Sequence, residues 1–538
     1  MKRRKLLFAS LSLLLVTSCS FIVTKSFSWA LYANDSYAIN LMSKKIEQYP
    51  LDFDEQGYEK NKTDLENSII NQDRITNVYS LYNKFDKYAR QLISRYFVSM
   101  ALYSGDPSKE IYNQKRVYFL DKFYDYRNEY SNIRILASRS SDDIKNMFFK
   151  TTDPEEIKKQ ISEDEKSEQI NELEAKLVEI ENEMEILSSE KTSKDLYIDK
   201  SIDLYLKYIP IANELADLCG YDNYLDYAYD SSFSRDYKPS EGLILTDYVK
   251  EYIIPTYLEY KPTKGEGFDQ RLYNIISSYN IANRGSNIGE LLTSYTESLS
   301  GDLLYLYNTL WNNGYYYLSA NESLGTAFTV LLYEDQSYMV FFGNNYQNAF
   351  TISHELGHYQ ALSINNKNTD KPLDIKETHS QSNEFLFMNY LKNKDLGDTY
   401  SYLFSYNLSN SLLRIINFSY IIEIENYAFT TPIEELNKDS FKEKLTELRD
   451  EYSNVISESY WCYPCVSSSC YYISYLTSLM ASLEMFIKDF GTAKNNYLNL
   501  INDKDHFKCV ECWENAGFTS PFNEEAYINI KNYLVGNN

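Results

Sequence analysis

The sequence predicts a mainly α-helical protein with one small β-hairpin. Glycine and proline, which interrupt helices, number only 17 and 11 among 538 residues, fewer than ordinary proteins contain. From Asp35 to Arg235, apolar and aromatic residues recur every three or four positions between charged ones, the period of a helix with one buried face. Hydrophobic residues make up 43% of the chain, so disorder over its whole length is excluded. We expect one large body with two lobes.

The N-terminus has the pattern of an export signal. Residues 2–5 are basic, residues 6–16 are apolar and Thr17-Ser18-Cys19 follows, the order of regions in a signal peptide. Residues 16–19 also resemble a bacterial lipobox, which implies that residues 1–18 are removed as a lipoprotein signal peptide and that Cys19 is lipidated. An uncleaved anchor is the alternative, although the apolar run is short for a membrane span. Either way, we expect an extracytoplasmic protein held at the cell membrane.

Residues 153–187 contain two further helical patterns. A seam of six apolar residues predicts a long packed helix or a helical hairpin: Ile170, Leu173, Leu177, Ile180, Met184 and Leu187. The charged run before it, residues 153–166, predicts a solvated turn and helix face.

The formal charge is −24, and no basic stripe follows residue 5, so nucleic acid is excluded as a partner.

The strand signal lies between residues 325 and 342. Residues 327–333 and 338–342 are rich in β-branched and aromatic side chains, and residues 334–337 between them are polar. This pattern predicts a β-hairpin.

A helix after the hairpin carries the sequence His354-Glu355-Leu356-Gly357-His358. Histidines four residues apart lie on one helical face, so both imidazoles can bind a single Zn²⁺, and Glu355 beside them can act as general base toward a metal-bound water. The pentapeptide contains two of the four histidines of the chain. A chance match on a core helix is the alternative.

The next predicted helix offers the third ligand that a catalytic zinc takes. Glu377 and Glu384 lie on nearly the same helical face. Glu377 would complete the site for one Zn²⁺ per chain. Glu384 could orient a ligating imidazole by a hydrogen bond, without binding the metal itself. His379 is the alternative ligand, on a different face.

Four ordered segments resemble the oligopeptidase F and thimet oligopeptidase family of zinc metallopeptidases. They are residues 211–237, residues 325–328, residues 354–358, and Glu377-x-x-Ser380-x-x-x-Glu384. The resemblance implies a two-lobed helical zincin-like metallopeptidase fold, with the hairpin beside the active-site helix and a deep substrate channel that admits short peptides. We place the N-terminal helical lobe at 19–235 and the catalytic lobe at 236–538, and expect a monomer.

Family members use late tyrosines to hold the tetrahedral intermediate, and residues 471–476 resemble that segment. Tyr472 and Tyr475 are the predicted hydroxyl donors, although paired tyrosines also arise by chance in a chain with 53 of them. The sequence departs from the family in having Ala361 in place of a histidine and no histidine at 461–470. Tyr460 or Tyr463 could replace the histidine that is missing at 461–470. If neither does, we expect weak turnover or altered specificity.

The remaining six cysteines are Cys219, Cys462, Cys465, Cys470, Cys509 and Cys512. An even number outside the cytoplasm favours disulfides. The alternative is a structural zinc site formed by the two Cys-x-x-Cys pairs. We expect His506 at the surface.

Together these patterns predict a zinc-dependent endopeptidase that cleaves short oligopeptides outside the cytoplasm. Peptide substrates would pair with the exposed edge of the hairpin, because strand addition binds backbone with little dependence on sequence. A zinc carboxypeptidase or dipeptidase of related fold is one alternative. A catalytically weak peptide-binding surface lipoprotein is the other.

Overall fold

The structure, a computed structural model, describes residues 46–106, 108–190, 192–260, 287–318, 327–333, 337–342, 349–394 and 398–536. The described chain is mostly helical with a small three-stranded sheet, which confirms the predicted fold class. The predicted signal peptide and Cys19 lie outside the described residues. Within the described ranges, no helix combines the length and apolar character needed to cross a membrane.

Seven helices form the N-terminal part of the described chain: α1 (Glu55–Ile70), α2 (Ile75–Gly105), α3 (Glu110–Ala137), α4 (Asp142–Phe149), α5 (Pro154–Glu165), α6 (Ser167–Ser189) and α7 (Lys194–Leu218). The side chain of Asp54 caps α1 by accepting a hydrogen bond from the Gly57 amide at 2.9 Å, which satisfies a donor that the first helical turn leaves free. Helices α1, α2 and α3 pack together, and α3 also contacts α5 and α6.

The predicted apolar seam forms the buried face of α6. Its residues from Leu173 to Leu187 are at most 6% exposed, and α6 packs along α7, as the periodicity predicts. The charged run before the seam is a helix, α5, but it is not wholly solvated. Asp164 is buried and its carboxylate lies 3.2 Å from the guanidinium of Arg134, because a helix that packs on α3 must bury one face.

Five helices lead to the sheet: α8 (Tyr224–Tyr227), α9 (Pro239–Tyr248), α10 (Ile254–Glu259), α11 (Asn287–Leu299) and α12 (Gly301–Asn313), with π-helical turns at Ala228–Ser232 and Val249–Ile253. The strands are β1 (Tyr316–Leu318), β2 (Ala327–Leu332) and β3 (Ser337–Phe342). Strands β2 and β3 form the predicted antiparallel hairpin. Strand β1 pairs in parallel with the other side of β3. This strand was not predicted, because three residues are too few to show the alternation that predicts a strand.

Nine helices follow the sheet: α13 (Ala349–Ile364), α14 (Leu373–Lys392), α15 (Asp398–Thr430), α16 (Lys438–Glu451), α17 (Cys462–Ser467), α18 (Tyr472–Ile487), α19 (Phe490–Asn502), α20 (Cys509–Ala516) and α21 (Glu524–Gly536), with a 3-10 turn at Asn366–Asp370. Helix α14 lies at their centre and packs against α13, α18 and α19. It is buried almost throughout although many of its side chains are polar. Helix α13 also packs against β2 and β3.

The two halves of the chain share contacts, and the predicted lobe boundary at residue 235 stays a prediction. Arg235 is fully buried against the start of α18, where its guanidinium donates to the Cys470 carbonyl at 2.7 Å. The Tyr463 hydroxyl donates to Glu185 of α6 at 2.8 Å. Helix α17 packs against both α6 and α7.

The prediction of disulfides is not supported, because no disulfide joins any two of the six described cysteines. The predicted alternative, a structural zinc site, is not formed either. Cys462 and Cys465 lie on α17, whereas the Cys509 amide, at the start of α20, donates to Asp236 at 2.8 Å. Two pairs held by different helices do not converge, and no metal-binding group that includes a cysteine exists among the described residues. His506 is about one-third exposed and contacts Asp503 at 2.9 Å.

Candidate metal centre

The structure brings His354, His358 and Glu377 together between α13 and α14. Glu377 Oε2 lies 3.8 Å from His354 Nε2 and 3.7 Å from His358 Nε2. One donor atom from each residue lies within 4.8 Å of the other two. Nitrogen and oxygen atoms that bind one zinc at about 2 Å must lie within about 4 Å of one another. The donor set and its spacing therefore fit a divalent metal with small adjustments of the side chains.

Close packing of α13 on α14 depends on Gly357, which lies between Leu356 and His358. A Cβ atom at this position would lie 2.6 Å from the Ser380 Cα atom and 2.7 Å from the His379 carbonyl oxygen. Both are backbone atoms of α14, so they cannot move without moving the helix. Glycine here lets the helix that carries the two histidines approach the helix that carries Glu377.

We expect Gly357→Ala to lower the free energy of unfolding by about 1–3 kcal/mol, the usual cost of overpacking a dense interior. Because α13 and α14 would separate, metal affinity should fall as well. The matched control is Gly301→Ala at the start of α12, where an added Cβ has no atom within 4 Å and stability should change by less than about 0.5 kcal/mol. Urea denaturation of both variants measures the difference; equal stability of the two would contradict the prediction.

Glu384 lies beside His354, and its role in orienting that imidazole stays a prediction. Its Oε2 atom is 3.6 Å from His354 Nδ1, on the opposite side of the ring from the nitrogen that faces Glu377. Burial acts to lower the pKa of His354, but Glu384 and Glu355 raise it, and the net shift is upward. Burial and the neighbouring His354 lower the pKa of His358 well below its usual value, which favours the neutral form that binds metal.

His379 is not part of the cluster, although it lies only two residues from Glu377. Its ring is fully buried, and neither ring nitrogen has a hydrogen-bond partner among the described residues. Burial lowers the pKa of His379 well below its usual value. The structure thus places Glu377, and not His379, opposite the two histidines.

Glu355 is held in place by the hairpin. The residue is 4% exposed, and its carboxylate accepts a hydrogen bond of 2.8 Å from the Thr329 hydroxyl in the middle of β2. Burial raises the pKa of Glu355 to about 7, against the opposing effects of His354 and this hydrogen bond. A group with a pKa near neutrality can both accept and return a proton. Our sequence analysis missed Thr329, although its neighbour Phe328 lies in a segment that resembles the family.

The late tyrosines are arranged differently from the predicted pair. The Tyr471 hydroxyl donates to the Tyr475 hydroxyl at 3.0 Å. Burial and then the Glu377 carboxylate raise the pKa of Tyr475 well above its usual value, so its hydroxyl stays protonated. The ring of Tyr472 packs on Phe418 with 5.3 Å between centroids. Tyr471 therefore leaves the hydroxyl hydrogen of Tyr475 free to donate, a positioning contact that the sequence analysis missed. The role of Tyr472 stays a prediction.

Of the two tyrosines considered as replacements for the missing histidine, Tyr463 is directed to α6, where it donates to Glu185. Tyr460 interacts electrostatically with Tyr472. Burial raises its pKa, whereas Arg414 and a hydrogen bond with Asn417 lower it. Tyr460 is also the first neighbouring group that raises the pKa of Tyr472 after burial. The Tyr463 hydroxyl is thus already engaged with Glu185, whereas the replacement of the histidine by Tyr460 stays a prediction.

A buried polar network connects the Glu377 helix to the tyrosine helix. Asp374, one turn before Glu377, accepts hydrogen bonds from three hydroxyl groups, those of Tyr237, Ser474 and Thr477, at 2.6 to 2.7 Å. The guanidinium of Arg235 lies 3.5 Å from Asp374 and donates to Ser474 at 2.8 Å. Because every member is buried and the carboxylate is well satisfied, this network fixes α14 relative to α18.

The loop before α18 has an unusual backbone conformation at Cys470, whose φ is +64°. Its amide donates to Glu425 at 2.7 Å and its carbonyl accepts from Arg235 at 2.7 Å. Left-handed backbone is unfavourable for residues other than glycine, so these two buried hydrogen bonds stabilise the turn. The turn sets where α18, and with it Tyr471 and Tyr475, begins.

Comparisons with known proteins agree with this arrangement at the level of fold. A scan against protein-family models gives no match, and neither does a search of curated proteins. Among solved structures, PZ peptidase A with an inhibitor matches with a TM-score of 0.67 and 13% identity over 91% of this chain and 99% of that chain. An oligoendopeptidase-F from Enterococcus faecium matches with a TM-score of 0.51 and 13% identity, over 89% and 97% of the two chains.

A structure from Bacillus anthracis, assigned as an oligoendopeptidase F, matches with a TM-score of 0.65 and 15% identity, over 93% of this chain and 98% of that chain. These matches cover nearly the whole length of each neighbour. At such low identity they establish that the chain has the helical fold of these peptidases.

Proposed function

We propose that this protein is a zinc-dependent endopeptidase that hydrolyses short oligopeptides. The observation that carries the proposal is the convergence of His354, His358 and Glu377 beside a buried carboxylate, that of Glu355. The shared fold with oligoendopeptidases supports it.

In the proposed reaction, His354, His358 and Glu377 would hold the metal. When bound there, zinc would supply Lewis acidity and lower the pKa of a coordinated water. A Glu355 carboxylate oxygen would accept the proton of the attacking water and deliver it to the nitrogen of the leaving amine. The hydrogen bond from Thr329 would keep that carboxylate in one orientation. Tyr475, with Tyr471 hydrogen-bonded to it, would donate to the developing oxyanion.

The position of β2 supports our suggestion for peptide binding. One edge of β2 pairs with β3, and the other pairs with no strand among the described residues. Thr329, in the middle of β2, holds Glu355. A peptide added to the free edge would therefore run beside the general base, and its backbone would supply the hydrogen bonds.

The location and the assembly state are further parts of the proposal. The basic, apolar and small-residue pattern of residues 1–19 supports export and a lipid anchor at Cys19. We propose a monomer on the outer face of the cell membrane that acts on short peptides and not on nucleic acid. The formal charge of −24 supports the last point.

A digest of a mixed oligopeptide pool by the full chain, followed by mass spectrometry, tests this function. We expect internal cleavage of short peptides that disappears on removal of zinc by a chelator and returns when zinc is added. Loss of C-terminal residues alone would assign a carboxypeptidase instead. Binding of peptides without any cleavage by the zinc-loaded protein would favour the peptide-binding lipoprotein.

A further inference from the structure

Arg414 on α15 lies close to the late tyrosines. It is half-buried, and its guanidinium carbon is 5.8 Å from the centroid of the Phe418 ring one turn later. The Phe418 ring in turn packs on Tyr472 and Tyr475, with 5.3 and 5.8 Å between centroids. Arg414 therefore faces the same space as the tyrosines of α18.

The guanidinium of Arg414 has no hydrogen bond or ion pair with any of the residues that the structure describes. A guanidinium presents five donors in a planar fork that fits the two oxygens of a carboxylate. Arginine is almost never fully buried without a paired acid, and Arg414 keeps part of its surface accessible. Here the donors are left for solvent or for a ligand.

The charge of Arg414 acts on the metal centre as well as on the tyrosines. Burial raises the pKa of Glu377, whereas His354, Ser380 and Arg414 lower it. Arg414 also lowers the pKa of Tyr475, against the larger effect of burial. The other cation near the centre, Lys376, interacts with Asp370. Arg414 is thus the cation that reaches the site from α15, on the side of the tyrosines.

We propose that Arg414 is a substrate-binding residue that holds a carboxylate of the peptide through a bidentate ion pair. This inference rests on the proposed peptidase function and specifies its substrates as peptides with a carboxylate near the scissile bond. The carboxylate can be the C-terminus of a short peptide or the side chain of an aspartate or glutamate. A fixed carboxylate site would orient the substrate next to Glu355 and would limit the length of peptide that fits.

Matched peptides distinguish the two sources of the carboxylate. The probes are an N-acetylated alanine-rich hexapeptide as the free acid, the same peptide as the C-terminal amide, and amides with a single glutamate or glutamine at each position. The proteins are the full zinc-loaded chain, Arg414→Gln, Arg414→Lys and the control Arg139→Gln, which changes an exposed arginine of the N-terminal region. Thermal unfolding and zinc content establish that each variant is folded and loaded.

For the unchanged protein we expect kcat/KM to be highest for peptides with the carboxylate. Arg414→Gln should lower it about 10- to 100-fold for those peptides, mainly through KM, because an ion-paired hydrogen bond is lost. For the neutral amide the change should be less than about twofold. Arg414→Lys should retain part of the preference, since it keeps the charge without the fork. Preference for the free acid identifies the C-terminus; preference for the glutamate amide identifies a side chain.

Two results would overturn the assignment. A loss of kcat that is equal for charged and neutral peptides would place Arg414 with the groups that stabilise the oxyanion. No change in any peptide would remove Arg414 from the site. Either result leaves the peptidase function intact.

A binding experiment separates this inference from the proposed function. Calorimetric titration of the zinc-loaded Glu355→Gln chain with the acid and amide peptides needs no turnover. If the Glu355→Gln chain binds the free-acid peptide and the added Arg414→Gln change removes that binding, the result would support the carboxylate subsite. It would do so even if the unchanged protein cut no peptide. Equal affinities for acid and amide, unaffected by Arg414→Gln, would overturn it.

Discussion

Replacement of Glu355 by glutamine is expected to reduce kcat/KM for peptide hydrolysis by about 10²- to 10⁴-fold, the usual contribution of a general base. Glutamine has nearly the same shape, and its amide can still meet the Thr329 hydroxyl that now donates to Glu355 at 2.8 Å. It cannot take up a proton. Fold and zinc content should therefore stay unchanged while hydrolysis of the peptide pool is lost, as measured by mass spectrometry and by zinc analysis.

The matched control for this experiment is Glu290→Gln, which makes the same chemical change at an exposed position of α11 and should leave activity unaltered. Activity of Glu355→Gln within about tenfold of the unchanged protein would show that another group accepts the proton. Loss of zinc by this variant would show that Glu355 contributes to the metal site itself.

A comparison of Glu377→Ala with His379→Leu is expected to give the second large effect. Glu377→Ala removes the carboxylate from the cluster of His354, His358 and Glu377. If these three residues hold zinc, as we propose, zinc affinity should fall more than about 100-fold, beyond the loss that follows removal of an outer-shell partner. His379→Leu replaces a buried ring with two unpartnered nitrogens by an apolar side chain of similar size. Zinc affinity should then be unchanged, and stability should be equal or higher.

Zinc titration of the two purified variants by competition with a chromophoric chelator measures both affinities. Circular dichroism establishes that Glu377→Ala is still folded, which separates loss of a ligand from loss of structure. The opposite order, with zinc lost only by His379→Leu, would make His379 the third ligand and would contradict the site described above.

The parts of the site that the sequence predicted are those that depend on spacing within one helix. His354 and His358 lie one turn apart on α13 and face the same way. Glu377 and Glu384 lie two turns apart on α14, and both contact His354. The hairpin was also predicted from a local property, the β-branched and aromatic side chains of residues 327–333 and 338–342.

The parts that were missed depend on contacts between elements far apart in the chain. Thr329 reaches Glu355 only because β2 packs on α13. Tyr471 joins Tyr475 because the turn at Cys470 sets where α18 begins. Arg414 reaches the tyrosines across Phe418, from another helix. The spacing of residues within one segment does not predict these contacts, because each contact joins two separate elements.

The sequence by itself determined the helical class, the hairpin, the pair of histidines on one face of α13 and the acids on one face of α14. Each of these follows from local properties: the helical period sets which side chains share a face, and residue types favour helix or strand. Only the tertiary structure shows that Glu377, and not His379, lies beside the two histidines, and that the cysteines on α17 and α20 are apart. Those outcomes depend on how α13, α14 and α18 pack. That packing is set by Gly357 at a close backbone approach and by Asp374 in a buried network, interactions that join residues distant in the chain.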